Sequence, residues 1–243
     1  MRKQDLPAME DFRTVKIIGL DADDTLWINE TLFRETEHEF FQLVKEYDVE
    51  HRLAQELLSI EIQNLPAYGF GIKGFMLSMI ETALKVSGNT LPVERINNII
   101  ALGKKMMQAP VELLPEVQET LTTLQAKYRL VLVTKGDLKD QERKLAASGL
   151  EGFFHHIEIV SDKQEANYKK LLRHLDISPK DFLMVGNSLK SDILPVVSIG
   201  AHAIHIPFHT NWAQDILPEQ KIPKGKYVEI HHFSQLIPLL GLE

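Results

Sequence analysis

Short apolar runs punctuate the chain at Val15–Leu20, Leu130–Val133, Ile157–Val160, Phe182–Val185 and Ala201–Ile206. Each is nearly uninterrupted and rich in Val and Ile, the pattern of strands buried on both faces of a parallel sheet. Between them, Glu116–Tyr128, Lys139–Ser148, Glu165–Leu175 and Leu189–Ile199 carry helical periodicity and read as crossover helices. The alternation predicts an α/β fold with a Rossmann-like parallel sheet and helices on both faces.

One stretch breaks this rhythm. From Trp27 to about Ala109 the apolar positions recur only at helical spacing: Phe33, Phe40, Phe41, Val44 and Tyr47, then Leu53, Leu57 and Ile60, then Phe75, Met79, Ile80 and Leu84. Pro92 opens a further helix, where its missing N–H costs nothing. Gln108–Pro115, with two prolines, reads as the return to the sheet. The expected organisation is therefore an α/β core from 1–27 and 110–243, interrupted by an all-helical domain over 28–109.

Composition narrows the chemistry. The 243 residues hold 27 Lys+Arg, 34 Asp+Glu and no Cys, for a formal charge of −7. Without cysteine there are no disulfides, thiolate nucleophiles or Cys-ligated metal sites. The acidic balance argues against nucleic acid or an anionic membrane as partner, and no apolar run approaches the length of a membrane span. Arg2, Lys3, Asp5, Glu10 and Asp11 leave no apolar core for a secretory signal, so a cytoplasmic location is expected.

Three of the apolar runs stop at polar residues: Gly19-Leu-Asp-Ala-Asp-Asp-Thr-Leu-Trp27, Thr134-Lys-Gly-Asp137 and Gly186-Asn-Ser-Leu-Lys-Ser-Asp192. In an open parallel sheet the carboxyl ends of the strands share one edge, where ligands bind. Asp21, Asp23, Thr134, Asn187 and Asp192 are thus expected to converge there. Two acids spaced as Asp21 and Asp23 would repel one another, and a divalent cation removes that penalty. Mg²⁺ suits a site of few carboxylates, with Asp21, the Asp23 carbonyl, and Asn187 or Asp192 as oxygen donors. Nothing here is soft enough to demand zinc.

In order and position, Asp21-Ala-Asp-Asp-Thr-Leu26, Thr134-Lys-Gly-Asp137, Lys163 and Gly186–Asp192 resemble the four motifs of the haloacid dehalogenase-like hydrolase superfamily. The helical insertion between the first two resembles the cap domain of its phosphatase branch. The resemblance implies Asp21 as nucleophile, Asp23 as general acid and base, Thr134 and Lys163 as phosphoryl ligands, and Asp21, Asp23, Asn187 and Asp192 as the Mg²⁺ site. It implies further phosphate donors at Ala22, Lys135 and Gly136. Because halide displacement needs no proton donor, Asp23 favours phosphoryl chemistry. The implied activity is hydrolysis of a small phosphorylated metabolite through an aspartyl-phosphate. A phosphomutase of the same superfamily and a non-catalytic phosphate-binding module are the alternatives. Oligomeric state is left open.

The chain departs from the motifs at three points. Asn187 stands where an Asp is usual, Lys135 where an Asn is common, and Lys163 lacks the usual following Pro, leaving Lys169 and Lys170 as rivals. In the insertion, Pro66–Gly74 reads as a loop that selects substrate, with Tyr68 and Lys73 as its contacts. His155-His156, His202, His205, His209 and His231-His232 show no helical His-Glu-x-x-His arrangement and read as structural or solvent-facing. Met76, Met79, Met106 and Met107 read as core filling, Trp27 as packing beside the first motif, and Asp24 as a cap in a solvated turn.

Overall fold

A computed structural model describes residues 12–48, 51–210, 212–213 and 227–242. The charged segment from Arg2 to Asp11 lies outside these residues. Among the described residues the sheet has six parallel strands in the order β3-β2-β1-β4-β5-β6: β1 Ile17–Leu20, β2 Arg129–Lys135, β3 His156–Val160, β4 Phe182–Gly186, β5 His202–His205 and β6 Val228–Glu229. The first strand is central, pairing with β2 on one side and β4 on the other.

The uninterrupted apolar runs have a direct cause. Alternate strand residues point to opposite faces, and both faces carry a core. Ile18, Leu20, Leu130, Leu132, Leu183, Val185 and Ile204 pack with Leu121 and Leu124 of helix α5 (Val117–Gln125) and with the C-terminal Leu236 and Leu239. On the other face, Ile17, Val131, Val133, Phe182 and Met184 meet Tyr168, Leu171 and Leu172 of α7 (Glu165–His174). Of the expected crossovers, α6 forms over Leu138–Ser148. The segment expected as one helix over Leu189–Ile199 divides into a π-helical turn, Leu189–Ile193, and a short α8, Leu194–Ser198, with Pro195 in its first turn. The strand β6 was not expected from the sequence; it is only two residues long.

The chain separates into two compact units. One takes in Met1–Ile28, Val111–Lys135 and Lys144–Glu243; the other takes in Asn29–Pro110 and Gly136–Arg143. The second is built on α1 Glu30–Val44, α2 Leu53–Tyr68, α3 Ile72–Val86 and α4 Val93–Gln108. Its core joins Phe40, Val44, Leu57, Phe75, Met79, Ile99 and Met106. The loop expected over Pro66–Gly74 is shorter than its glycines implied. Pro66 lies in the last turn of α2, and Gly74 already lies in α3. At the exit from the first unit, Ile28 N–H donates to Glu112 C=O (2.9 Å), and Leu114 N–H to Leu26 C=O (2.9 Å). Fully buried Trp27 sits between those bonds. No helix among the described residues is long and apolar enough to cross a membrane.

Gly19 has its own packing reason. A Cβ there would lie 2.4 Å from Cζ of Phe182, whose ring occupies the space above β1. Gly19→Ala is expected to cost about 1–3 kcal/mol through overpacking, seen as a lower urea midpoint with an unchanged m-value.

Candidate active site

The site begins where β1 ends. Asp21 N–H donates to Val185 C=O at 2.9 Å, extending the β1–β4 ladder by one residue and carrying the Asp21 carboxylate to the carboxyl edge of the sheet. Lys163, on the connection after β3, is 3% exposed and reaches the same place. Its Nζ donates to Asp21 Oδ1 and, at 2.7 Å, to Asp192 Oδ1. Of the other two candidate lysines, Lys169 lies at the surface, 3.3 Å from Glu165, and Lys170 is exposed.

Asp192 is aimed by the π-helical turn that replaced the expected regular helix. Its N–H donates to Ser188 C=O (2.8 Å), while its Oδ2 accepts from Ser188 N–H (2.9 Å). The carboxylate thus folds back over Gly186, where a Cβ would stand 2.4 Å from Asp192 Oδ2. Glycine at 186 is the space this arrangement needs. The Tyr168 hydroxyl donates to Ser191 C=O at 3.0 Å and secures the turn from α7. Asn187 joins the group through Thr25, whose Oγ1 lies 3.2 Å from Asp21 Oδ2 and 3.5 Å from Asn187 Oδ1. Lys135 reaches across from the end of β2 to donate to Ser191 Oγ at 2.9 Å. Thr134, its neighbour in β2, is buried, and Gly136 turns the chain at φ +145°.

Burial, and then the charge of Asp192, push the Asp21 carboxyl up to about 7 against the pull of Lys163. Burial is also the largest influence on Lys163 and draws it down, yet Asp192 and Asp21 together hold the ammonium above its ordinary value. The same burial, followed by the same two carboxylates, raises the Tyr168 phenol well above its usual range. One ammonium shared between two buried acids leaves negative charge in surplus. The nearby donors are two carboxylates and the amide oxygen of Asn187, all hard oxygen ligands, and this set fits a Mg²⁺-like ion.

Asp23 occupies a second, adjoining arrangement. Its Oδ1 accepts from Trp27 Nε1 (2.7 Å) and from Lys144 Nζ (2.6 Å). The Lys144 side chain is only 8% exposed, although α6 is otherwise a polar helix. Neither partner was singled out from the sequence as acting on Asp23. A Trp four residues after an acid and a Lys in a helical pattern read as packing and solvated surface until the fold joins them. Asp24 also differs from expectation: it is buried, at φ +58°, with its N–H on Trp27 C=O at 2.7 Å.

A model of the haloacid dehalogenase-like hydrolases matches residues 15–200, which includes every motif described above. The chain belongs to the haloacid dehalogenase-like hydrolase family. A haloacid dehalogenase-like hydrolase from Xanthomonas campestris has the same fold, with 36% identity, a TM-score of 0.79, and coverage of 94% of this chain and 93% of that one. Among curated relatives, the N-acylneuraminate-9-phosphatase of Mus musculus is 32% identical over 93 residues, 36% of this chain and 38% of that protein. A glyceraldehyde 3-phosphate phosphatase of Methanothermobacter thermautotrophicus is 32% identical over 97 residues, 37% of this chain and 42% of that protein. The chain therefore spans less than half the length of these two phosphatases.

Not every expected residue of this haloacid dehalogenase-like hydrolase joins the cluster. Tyr68 and Lys73 belong to the helical unit and have partners within it: the Tyr68 hydroxyl donates to Glu81 Oε1 (2.8 Å), and Lys73 Nζ to Asp137 Oδ1 (2.9 Å). Of the histidines, His205 is buried, with Nδ1 2.9 Å from Glu229 Oε2 and Nε2 3.0 Å from the Asn187 carbonyl.

The raised pKa of Asp21 has a thermodynamic signature. Between about 3.8 and 7 the folded state holds a proton that the unfolded state has released, so stability falls as pH rises through that window. Asp21→Asn removes this decline. In metal-free buffer, the melting temperature of the variant minus that of wild type should grow by several degrees between pH 4 and pH 8; a difference independent of pH would contradict the assignment.

Proposed function

We propose that the protein is a Mg²⁺-dependent phosphatase that hydrolyses a small phosphate monoester through an aspartyl-phosphate on Asp21. The observation that carries this reading is one buried carboxylate, Asp21, gripped by Lys163 beside a second acid, Asp23, that has its own donors. A nucleophile needs to be held, and its neighbour needs to be free of the same grip to move protons. Phosphatases among the relatives, named for N-acylneuraminate 9-phosphate and glyceraldehyde 3-phosphate, favour a phosphorylated sugar or similar metabolite as substrate.

In this reading an Asp21 carboxylate oxygen attacks phosphorus as the bond to the leaving oxygen breaks. The Asp23 carboxyl gives its proton to that oxygen. The resulting Asp23 carboxylate then takes a proton from water, whose oxygen attacks the phosphorus and frees Asp21 and inorganic phosphate. Lys163, Thr134, Lys135 and the backbone N–H groups of Ala22 and Gly136 bind the phosphoryl oxygens. Asp21, Asp192, Asn187 and the Asp23 carbonyl would hold Mg²⁺, which when bound offsets the charge of the phosphoryl group. The substrate contacts assigned to Tyr68 and Lys73 rest on the sequence pattern and form part of this proposal.

Release of inorganic phosphate from 4-nitrophenyl phosphate and a panel of sugar phosphates should require Mg²⁺, stop with EDTA, and fall by about 10³-fold or more in Asp21→Asn. No release by wild type across the panel, or full release by the variant, would overturn the reading.

Lys144 and Trp27 act as positioning residues for Asp23. An aryl phosphate leaves readily without a proton, whereas an alkyl phosphate needs one. Lys144→Met should therefore reduce kcat by about tenfold or more on alkyl phosphates while leaving aryl phosphates within about threefold. Equal losses on both classes would mark Lys144 as merely structural.

A further inference from the structure

The edge strand β3 carries an anomaly that the phosphatase reading does not use. In the β2–β3 register, His156 stands opposite Val131 and Glu158 opposite Val133. Both valines belong to the apolar layer packed beneath α7. A histidine and a glutamate thus occupy positions where the neighbouring strand places aliphatic side chains. Helix α7 then ends at His174, whose ring lies edge-on to that of His156, with centroids 5.6 Å apart.

These three side chains form a donor set. His156 Nε2 lies 3.0 Å from Glu158 Oε2, and one ligand atom from each of His156, Glu158 and His174 lies within 4.8 Å of the other two. Around a tetrahedral ion with bonds of about 2.0–2.2 Å, ligand atoms sit about 3.3–3.6 Å apart. The His156–Glu158 pair is already close to that spacing. His174 is exposed and at a helix end, so its side chain has room to rotate toward the other two. His156 and Glu158 are 30% and 21% exposed in their side chains, which leaves an entry path from solvent.

We propose that His156, Glu158 and His174 bind a Zn²⁺-class cation, with water completing a tetrahedron. Two imidazoles and a carboxylate select zinc and the late first-row dications over Mg²⁺, which prefers an all-oxygen shell. Of its ligands, His156 opens β3, Glu158 lies at the middle of that strand and His174 closes α7, while Lys163 lies on the connection between the opposite ends of the same two elements. The ion would join the edge strand to the helix and so stiffen the frame from which Lys163 projects. The site stands independently of the phosphatase reading.

The purified chain, held in saturating Mg²⁺ to occupy hard-oxygen sites, is titrated with Zn²⁺ by calorimetry and with Co²⁺ by visible absorption. Wild type should bind a single Zn²⁺, melt at a higher temperature in its presence, and give the strong visible bands of tetrahedral Co²⁺. His174→Ala removes an exposed side chain and leaves the core intact. It should weaken Zn²⁺ at least about tenfold, abolish the Co²⁺ bands and lose the thermal shift, with Glu158→Gln weakening Zn²⁺ likewise. No Zn²⁺ binding by wild type, or equal affinity in wild type and His174→Ala, would overturn the proposal. Phosphate release in Mg²⁺ alone should be retained by His174→Ala, so failure of the zinc site is distinguishable from failure of the phosphatase reading.

Discussion

The candidate active site depends on one ammonium group shared by two buried carboxylates. Lys163 joins Asp21, at the end of the central strand, to Asp192, on the turn after its neighbour β4. Burying either acid alone would be costly, and breaking such a group leaves an uncompensated charge behind. The surrounding structure serves to hold three side chains from three strand ends at hydrogen-bond distance. The central position of β1, the space above Gly186 and the Tyr168 hydroxyl on the π-helical turn all meet that requirement. The grouping remains one positive charge short, and burial, then the charge of Asp192, raises Asp21 against the pull of Lys163.

Much of this was readable from the residues because parallel strands buried on both faces write themselves as unbroken apolar runs. The polar residue that ends such a run marks the binding edge. Asp21, Thr134 and Asn187 were legible for that reason. Lys163 was legible only by spacing, and its selection over Lys169 required the geometry. The contact of Lys144 with Asp23 was not legible, since a lysine on a polar helix looks alike whether it faces water or an acid far away in the sequence. The π-helical turn was hidden for a related reason: its hydrogen bonds span only one residue more than those of a regular helix. The grouping of His174 with His156 was invisible too, because α7 must dock before its last residue meets the first residue of β3.

The two lysines divide the labour of charge. Lys163 answers to Asp21 and Asp192, and Lys144 to Asp23. Acids that sit close in sequence are thereby given separate environments, a buried one shared with a like charge and a more open one with an ammonium and an indole N–H as donors. In the proposed mechanism, that separation is what would let two identical side chains take different roles.

The paired bonds at Leu26–Leu114 and Ile28–Glu112 carry a further consequence for the architecture. The chain leaves the sheet unit and re-enters it along two adjacent, hydrogen-bonded segments, so the loop closure needed to seat the insertion is already made within the sheet unit. Replacing one inserted domain with another of different length then adds only a slowly growing entropic cost. A fold with such a doorway can exchange the module between its two posts while the strands of the sheet stay in register.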